Sequence, residues 1–261
     1  MKEHILEILK QIETEYDVKI LYACEAGSRT WGLSSEDSDY DIRFIYLHKT
    51  DWYLSIDQKR DVLEVPKHDH VKKDVNPLID MSGWELTKAL RLFRKSNPTL
   101  LEWLHSSSIY KKDNSFIDKL KKMEPIIFSE IPCIYHYVKM AKGNFKTVQE
   151  KHQKLKTYLN VIRPLLMAMS IKKYHRMNSL NVNDLIKDLL QNNERKQDIE
   201  QMIKMKTAGQ RVTKRILAID TFIEEEIQYL EQYVSKLEYD RPNPTQLLDQ
   251  LFRETLADAW K

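Results

Sequence analysis

Gly27-Ser28-Arg29-Thr30-Trp31-Gly32-Leu33-Ser34-Ser35-Glu36-Asp37-Ser38-Asp39-Tyr40-Asp41-Ile42-Arg43 is the stretch whose reading decides the fold. The apolar run Ile20-Leu21-Tyr22-Ala23 leads into it and the β-prone run Ile42-Arg43-Phe44-Ile45-Tyr46-Leu47 leads out, so it forms a turn between two strands. Asp39 and Asp41 stand at the entry to the second strand, where a two-residue period sends both carboxylates to one face. Two anions held side by side repel unless a cation lies between them. All-oxygen ligands select a hard divalent ion, Mg²⁺ first and Mn²⁺ as the alternative. Upstream, Gly27 lets the backbone approach a ligand closely, and Ser28 offers its hydroxyl and amide to a phosphate oxygen at a helix start.

Outward from this stretch, composition bounds the rest. With 261 residues, 42% hydrophobic and 31% charged, the chain reads as soluble and globular, long enough for one large domain or two modest ones. Only five glycines and eight prolines favour a helix-rich protein. A net charge of +3 is too small to establish a nucleic-acid partner by itself, so the placement of charge has to decide. Cys24 and Cys133 lack metal-ligand spacing and read as reduced thiols. The N-terminus lacks a signal-peptide core and no apolar run is long enough for a membrane helix. The expectation is a cytoplasmic protein with no membrane partner.

Residues 3 to 16 carry Ile5, Ile8, Leu9 and Ile12 at helical spacing, the pattern of a helix that covers a sheet. Val18 to Ala26 reads as the first strand, Thr50 to Ser55 is ambiguous, and Arg60 to Val65 reads as a strand ended by Pro66. His68-Asp69-His70 reads as a surface loop. Val75 to Met81 is a further expected strand, in which Asp80 is a lone carboxylate among apolar residues and calls for a partner. Ser82-Gly83-Trp84-Glu85 has the form of a capping box, opening a helix with Leu86, Ala89, Leu90 and Phe93 buried. Its other face carries Lys88, Arg91, Arg94 and Lys95; Lys88 or Arg91 either meets substrate phosphates or lines a solvated face. Asn97-Pro98 starts the next helix.

Beyond Ser106 the pattern is helical with no strong strand, which puts a boundary near residue 110. Lys139, Lys142 and Lys146 share one helix face in the segment Ile134 to Lys156, interleaved with Tyr135, Tyr137, Phe145 and Tyr158. That combination suits a triphosphate or a single-stranded nucleic acid; a solvated lysine face is the alternative. Pro164 marks a kink or a helix start. Asn183-Asp184 caps a further helix, Gln191 to Gln201 reads as a loop or helix surface, and Ile223, Ile227, Leu230, Val234 and Leu237 form a short heptad-like seam, for packing within the chain first and a dimer interface as the alternative. Asp240-Arg241-Pro242-Asn243-Pro244 breaks the chain before a last helix with Leu247, Leu248, Leu251, Phe252 and Leu256.

Gly27-Ser28 followed by Asp39-x-Asp41 resembles the nucleotidyltransferase superfamily of DNA polymerase β. The longer form, Gly-Ser-Arg-x-Trp-Gly through Ser-Asp-Tyr-Asp-Ile-Arg, with Lys154-Leu155-Lys156-Thr157-Tyr158 and Arg163-Pro164-Leu165-Leu166, is similar to the YcgL-type predicted nucleotidyltransferases, its RNA repair pathway branch. The resemblance implies an α+β protein: a small nucleotidyltransferase sheet with flanking helices over residues 1–110, then an all-helical substrate-binding domain over 111–261. It implies Mg²⁺-dependent transfer of an NMP from an NTP to an acceptor hydroxyl with release of pyrophosphate. Asp39, Asp41 and Asp80 are the implied metal ligands and catalytic residues, with Glu64 the competitor of Asp80. Gly27, Ser28, Arg29, Lys88, Lys156 and Tyr158 are the implied nucleotide contacts, and Arg43 either neutralises charge or pairs with a signature carboxylate. The acceptor is an RNA 3′ end first, a protein or small molecule otherwise; an inert nucleotide-binding regulator is the contrasting expectation. The chain is expected to be a monomer or weak dimer.

Overall fold

A computed structural model of the chain describes residues 1–150, 154–191, 194–211, 216–238 and 243–261. Helix α1 (Lys2–Glu15) buries Ile5, Ile8, Leu9 and Ile12, as its spacing predicts, and each such side chain contributes about 1.5–3 kcal/mol. They pack with Ile20, Ala23, Ile42, Phe44, Leu63, Val65, Ile79 and Met81 of the sheet. Strand β1 (Lys19–Ala26) is buried on both faces from Ile20 to Glu25, which is why Ile20 to Cys24 read as an apolar run rather than an alternation. One turn of helix, α2 (Gly27–Thr30), follows it, and then β2 (Tyr40–Leu47). The ambiguous segment forms the short helix α3 (Thr50–Tyr53). Strands β3 (Val62–Val65) and β4 (Ile79–Glu85) precede α4 (Leu86–Arg94) and α5 (Pro98–Leu104). Asn97 caps α5 as its sequence predicts, accepting from the Leu100 amide at 3.1 Å.

Three expectations give way here. Strand β4 starts at Ile79 and not at Val75, because Pro77 offers no amide and Asn76 turns the chain, accepting from the Leu78 and Ile79 amides. Ser82 to Glu85 extend β4 and do not cap a helix. Their backbone is taken by β2 on one side and β3 on the other, and Gly83 lies under the Phe44 ring; sheet pairing outweighs the local capping signature. Glu85 itself is the N-cap of α4, accepting from the Thr87 amide. Finally, Ile109–Lys112 forms the strand β5, an edge strand on β1, although only Ile109 and Tyr110 have β-forming character.

Among the described residues the sheet has five strands in the order β3-β4-β2-β1-β5. Strands β2 and β4 run parallel; the other neighbours are antiparallel. Helix α6 (Asn114–Ile127) follows. Next come α7 (Glu130–Glu150), α8 (Leu155–Tyr174), α9 (Val182–Leu189), α10 (Glu194–Thr207) and α11 (Leu217–Ser235), and last α12 (Thr245–Ala259). The protein is thus α+β. Residues 151–153, inside the expected helix Ile134 to Lys156, and Asp240-Arg241-Pro242 of the expected break lie outside the described residues.

Two compact units divide the chain elsewhere than at residue 110. The sheet unit comprises Met1–Thr30, Asp39–Phe128 and Pro242–Lys261; α12 packs on α4 and α6 within it, and Arg94 bonds Thr245 at 2.8 Å. The helical unit comprises Trp31–Ser38 and Ser129–Arg241. Within it α7, α8 and α11 pack together, and Ile223, Ile227, Leu230 and Val234 are buried, so the seam serves packing within the unit. Pro164 sits inside α8. Helix α9 begins two residues earlier than expected, capped by Asn181 in place of Asn183, whose amide donates to the Asn181 side chain. The Trp31-Gly32 pair of the signature belongs to this unit: the Arg163 guanidinium lies 3.8 Å over the Trp31 ring, and the Trp31 carbonyl accepts from the Val182 amide at 2.9 Å. Among the described residues no helix is long and apolar enough to cross a membrane.

Candidate functional site

Strand β1 ends at Ala26, paired with Asp41 on β2, and the chain turns at Gly27 with φ +65°. A Cβ at Gly27 would lie 1.9 Å from Asp41 Oδ2, so the turn geometry and the closeness of this carboxylate both require glycine. Ser28 sits half-buried in α2 directly beside this contact. Asp39 is exposed just before β2, and its carbonyl accepts from Arg29 Nε at 3.2 Å. The Arg29 guanidinium lies 3.7 Å over the Tyr40 ring.

The parallel register of β2 and β4 sets Asp41 opposite Asp80. Arg43, two residues along β2 and on the same face, joins them: its Nη2 lies 2.9 Å from Asp41 Oδ1 and 2.8 Å from Asp80 Oδ2. Its Nη1 donates to the carbonyls of Ile42 at 3.0 Å and Asp80 at 3.1 Å. The partner that Asp80 calls for is therefore Arg43, and Asp80 is not buried, its side chain being 49% exposed. Glu64 faces other groups, with Arg60, Lys67 and His68 at 3.7, 3.9 and 3.7 Å. Among the described residues no three His, Cys, Asp or Glu side chains are gathered closely enough to hold a metal. Asp41 and Asp80 are brought together; Asp39 is not drawn into one set with them. The pair nonetheless fits a divalent cation, since its donors are hard oxygens and one cationic nitrogen already touches both.

Glu25 belongs to this site and was not singled out by the sequence. It is 4% exposed, accepts the Asp41 amide at 3.1 Å and accepts the Tyr110 hydroxyl at 2.5 Å. Burial raises its pKa, while the Tyr110 bond and the Arg29 charge pull it back. Thr30 and Ser106 hydroxyls hold its carbonyl at 2.9 and 2.6 Å. Glu25 thus fixes the backbone from which Asp41 projects. The signal in the sequence was an acid inside an apolar strand, two residues before Gly27.

Other expected contacts land elsewhere. Lys88 pairs with Asp61 at 2.9 Å, with Arg91 beside it at 3.4 Å, so the Asp61 carboxylate takes this charge. Tyr158 is fully buried and donates to Asp220 Oδ1 at 2.9 Å, so its ring is part of the packing of the helical unit. Tyr137 and Phe145 are core residues too, because the helix face between the lysines is the buried one. Lys139, Lys142 and Lys146 are exposed, and Lys142 reaches Glu231 at 2.8 Å. Lys156 is exposed and acts with burial to lower the pKa of Lys206, whose Nζ lies 3.3 Å from Ser35 Oγ. In the His68-Asp69-His70 loop, Asp69 accepts from Arg60 at 2.8 Å and from the Glu64 amide at 2.7 Å, a structural role.

The family described as RNA repair pathway DNA polymerase beta family matches residues 1–254. A protein of Bacillus subtilis (strain 168), "Uncharacterized protein YcgL", is 40% identical over 264 residues, covering 100% of this chain and 98% of its own. A solved structure, a nucleotidyltransferase-like protein from Exiguobacterium sibiricum 255-15, aligns over 98% of this chain and 81% of its own with a TM-score of 0.33 and 10% identity.

Proposed function

This chain belongs to the RNA repair pathway DNA polymerase beta family, and on that premise we propose that it transfers an NMP from an NTP to an acceptor hydroxyl, an RNA 3′ end first, in the cytoplasm. The observation that carries the reading is the register that sets Asp80 beside Asp41, against the Gly27 turn. Asp41 and Asp80, joined by Asp39 once substrate is present, hold divalent Mg²⁺ or Mn²⁺. When bound, such an ion neutralises triphosphate charge and lowers the pKa of the attacking hydroxyl. Ser28 donates its hydroxyl to a phosphate oxygen beside Gly27, and Arg29 adds positive charge. Asp80, half exposed, is within reach of solvent-borne substrate and takes the proton of the acceptor hydroxyl as a new bond forms between that oxygen and the α-phosphorus and pyrophosphate leaves. The helical unit, with the exposed Lys139, Lys142, Lys146 and Lys156, binds the acceptor.

The test is incorporation of α-labelled NTP into RNA by the parent and by Asp39→Ala, Asp41→Ala and Asp80→Ala, with thermal melting alongside. Loss of incorporation in each variant at a retained melting transition supports the assignment. Activity surviving in Asp41→Ala refutes it. Tight NTP binding without turnover on RNA, protein or small-molecule acceptors replaces the enzyme with a nucleotide-binding regulator.

A further inference from the structure

Arg43 holds the position that the proposed ion needs. One guanidinium nitrogen, Nη2, touches a carboxylate oxygen of Asp41 and one of Asp80, at 2.9 and 2.8 Å. The other, Nη1, is tied to two main-chain carbonyls, those of Ile42 and Asp80. The side chain is 19% exposed, so its charge is only partly screened. Sequence and sheet make this arrangement unavoidable: Asp41 and Arg43 share a face of β2, and Asp80 is the register partner of Asp41.

We propose that Arg43 is the resident counter-cation of the Asp41–Asp80 pair and makes divalent-metal binding at this pair depend on bound nucleotide; the inference rests on the metal-binding reading above. Without a ligand the two carboxylates would repel, and Arg43 keeps them together. The same charge opposes a divalent ion at those carboxylates. A neighbouring unit charge within a few ångströms shifts ionic equilibria by about one to three powers of ten. A nucleoside triphosphate reverses the balance, because its phosphate oxygens give Nη2 anionic acceptors in place of the carboxylates and bring negative charge of their own. The Nη1 anchor on the two carbonyls persists while Nη2 changes partner, so the exchange needs no rearrangement of the strands. Arg43 is in this sense a positioning residue for the metal, and a lysine, with one ammonium, repels the ion but cannot anchor and bridge together.

The experiment measures Mn²⁺ binding by electron paramagnetic resonance, with and without α,β-methylene analogues of the four NTPs, in the parent, Arg43→Met and Arg43→Lys. The parent is expected to bind Mn²⁺ weakly alone and more tightly with an analogue. Arg43→Met is expected to bind Mn²⁺ alone at least about tenfold more tightly, with the enhancement by nucleotide reduced by a similar factor, and Arg43→Lys to stay within about threefold of the parent. Unchanged or weaker binding in Arg43→Met overturns the inference, as does equal tightening in Arg43→Lys, which would make the effect steric. Adding Asp41→Asn to Arg43→Met must abolish the tightened site. If the parent shows no Asp41-dependent Mn²⁺ binding with any analogue, the metal reading itself fails and this inference falls with it. Circular dichroism and melting check folding, and Arg43→Gln serves as the uncharged variant should Arg43→Met not fold.

Discussion

Gly27 carries two constraints at once, a left-handed backbone at φ +65° and a Cβ position 1.9 Å from Asp41 Oδ2. Gly27→Ala is therefore expected to cost about 1–3 kcal/mol of stability and to displace Asp41, read as a lower urea midpoint together with loss of nucleotidyl transfer; a variant with parental stability and activity contradicts the geometry. Glu25 is held by the Tyr110 hydroxyl, and Tyr110→Phe leaves that buried carboxylate one donor short, at a cost of about 1–3 kcal/mol. An unchanged melting temperature would remove Glu25 from the account. At this scale the sequence was legible where residues lie close along the chain. Gly27, Ser28, Asp39 and Asp41 sit in one turn, so spacing alone exposes them. Asp80 was visible as a carboxylate needing a partner, but the partner depends on strand register, which no local pattern encodes. Glu25 stood out only as an acid in an apolar strand, and its role stayed hidden because it holds a backbone amide of a neighbouring strand.

Strand β2 links two environments, with Asp41 near its start and His48 just past its end. His48 stacks on Trp52 at 4.2 Å, and its carbonyl accepts from Trp260 Nε1 at 3.0 Å. Burial, with Lys59 nearby, lowers its pKa from the usual 6.5 to about 4. The native state keeps His48 neutral while the unfolded chain takes up a proton below 6.5. Its contribution is complete above that pH and is lost as the pH falls toward 4. His48→Gln is expected to flatten the decline of unfolding free energy across this window, measured by urea unfolding; an unaltered slope sinks the assignment. Among elements, α1 was legible from its apolar period and α5 from its apolar period together with the Asn97 cap. The capping box at Ser82 misled because β2 and β3 claim its backbone, and β5 escaped because an edge strand of four residues draws its stability from β1. Tyr137, Phe145 and Tyr158 among the lysines of α7 and α8 read as a binding stripe, yet their spacing equally describes the buried face on which the structure places them, while Tyr135 stays exposed.

The sheet unit is discontinuous in sequence, since α12 returns to it from the end of the chain. A chain ending at residue 238 loses the burial of Leu248 and Leu251, the Phe252 contact with Tyr53 at 5.0 Å and the Trp260 bond. Its sheet unit is expected to melt at lower temperature than in the full chain, and equal melting would show that α12 is dispensable. That return was not readable, because an amphipathic helix reveals which face it buries but not against what. The helical unit carries the acceptor question. If RNA binds there, affinity should fall with salt by a logarithmic slope of about −0.7 per neutralised phosphate. Reversing Lys139, Lys142 and Lys146 to glutamate should flatten that slope without altering NTP binding; a slope unchanged by the triple variant points to a protein or small-molecule acceptor. The most direct test of the central claim follows the two ends of the triphosphate separately, with α- and γ-labelled NTP, Mg²⁺ and RNA bearing a free or a periodate-oxidised 3′ end. The account predicts that α label enters only the RNA with a free 3′ end, that γ label leaves as pyrophosphate, and that Asp41→Asn abolishes both; γ label on the acceptor, or undiminished transfer by Asp41→Asn, contradicts it.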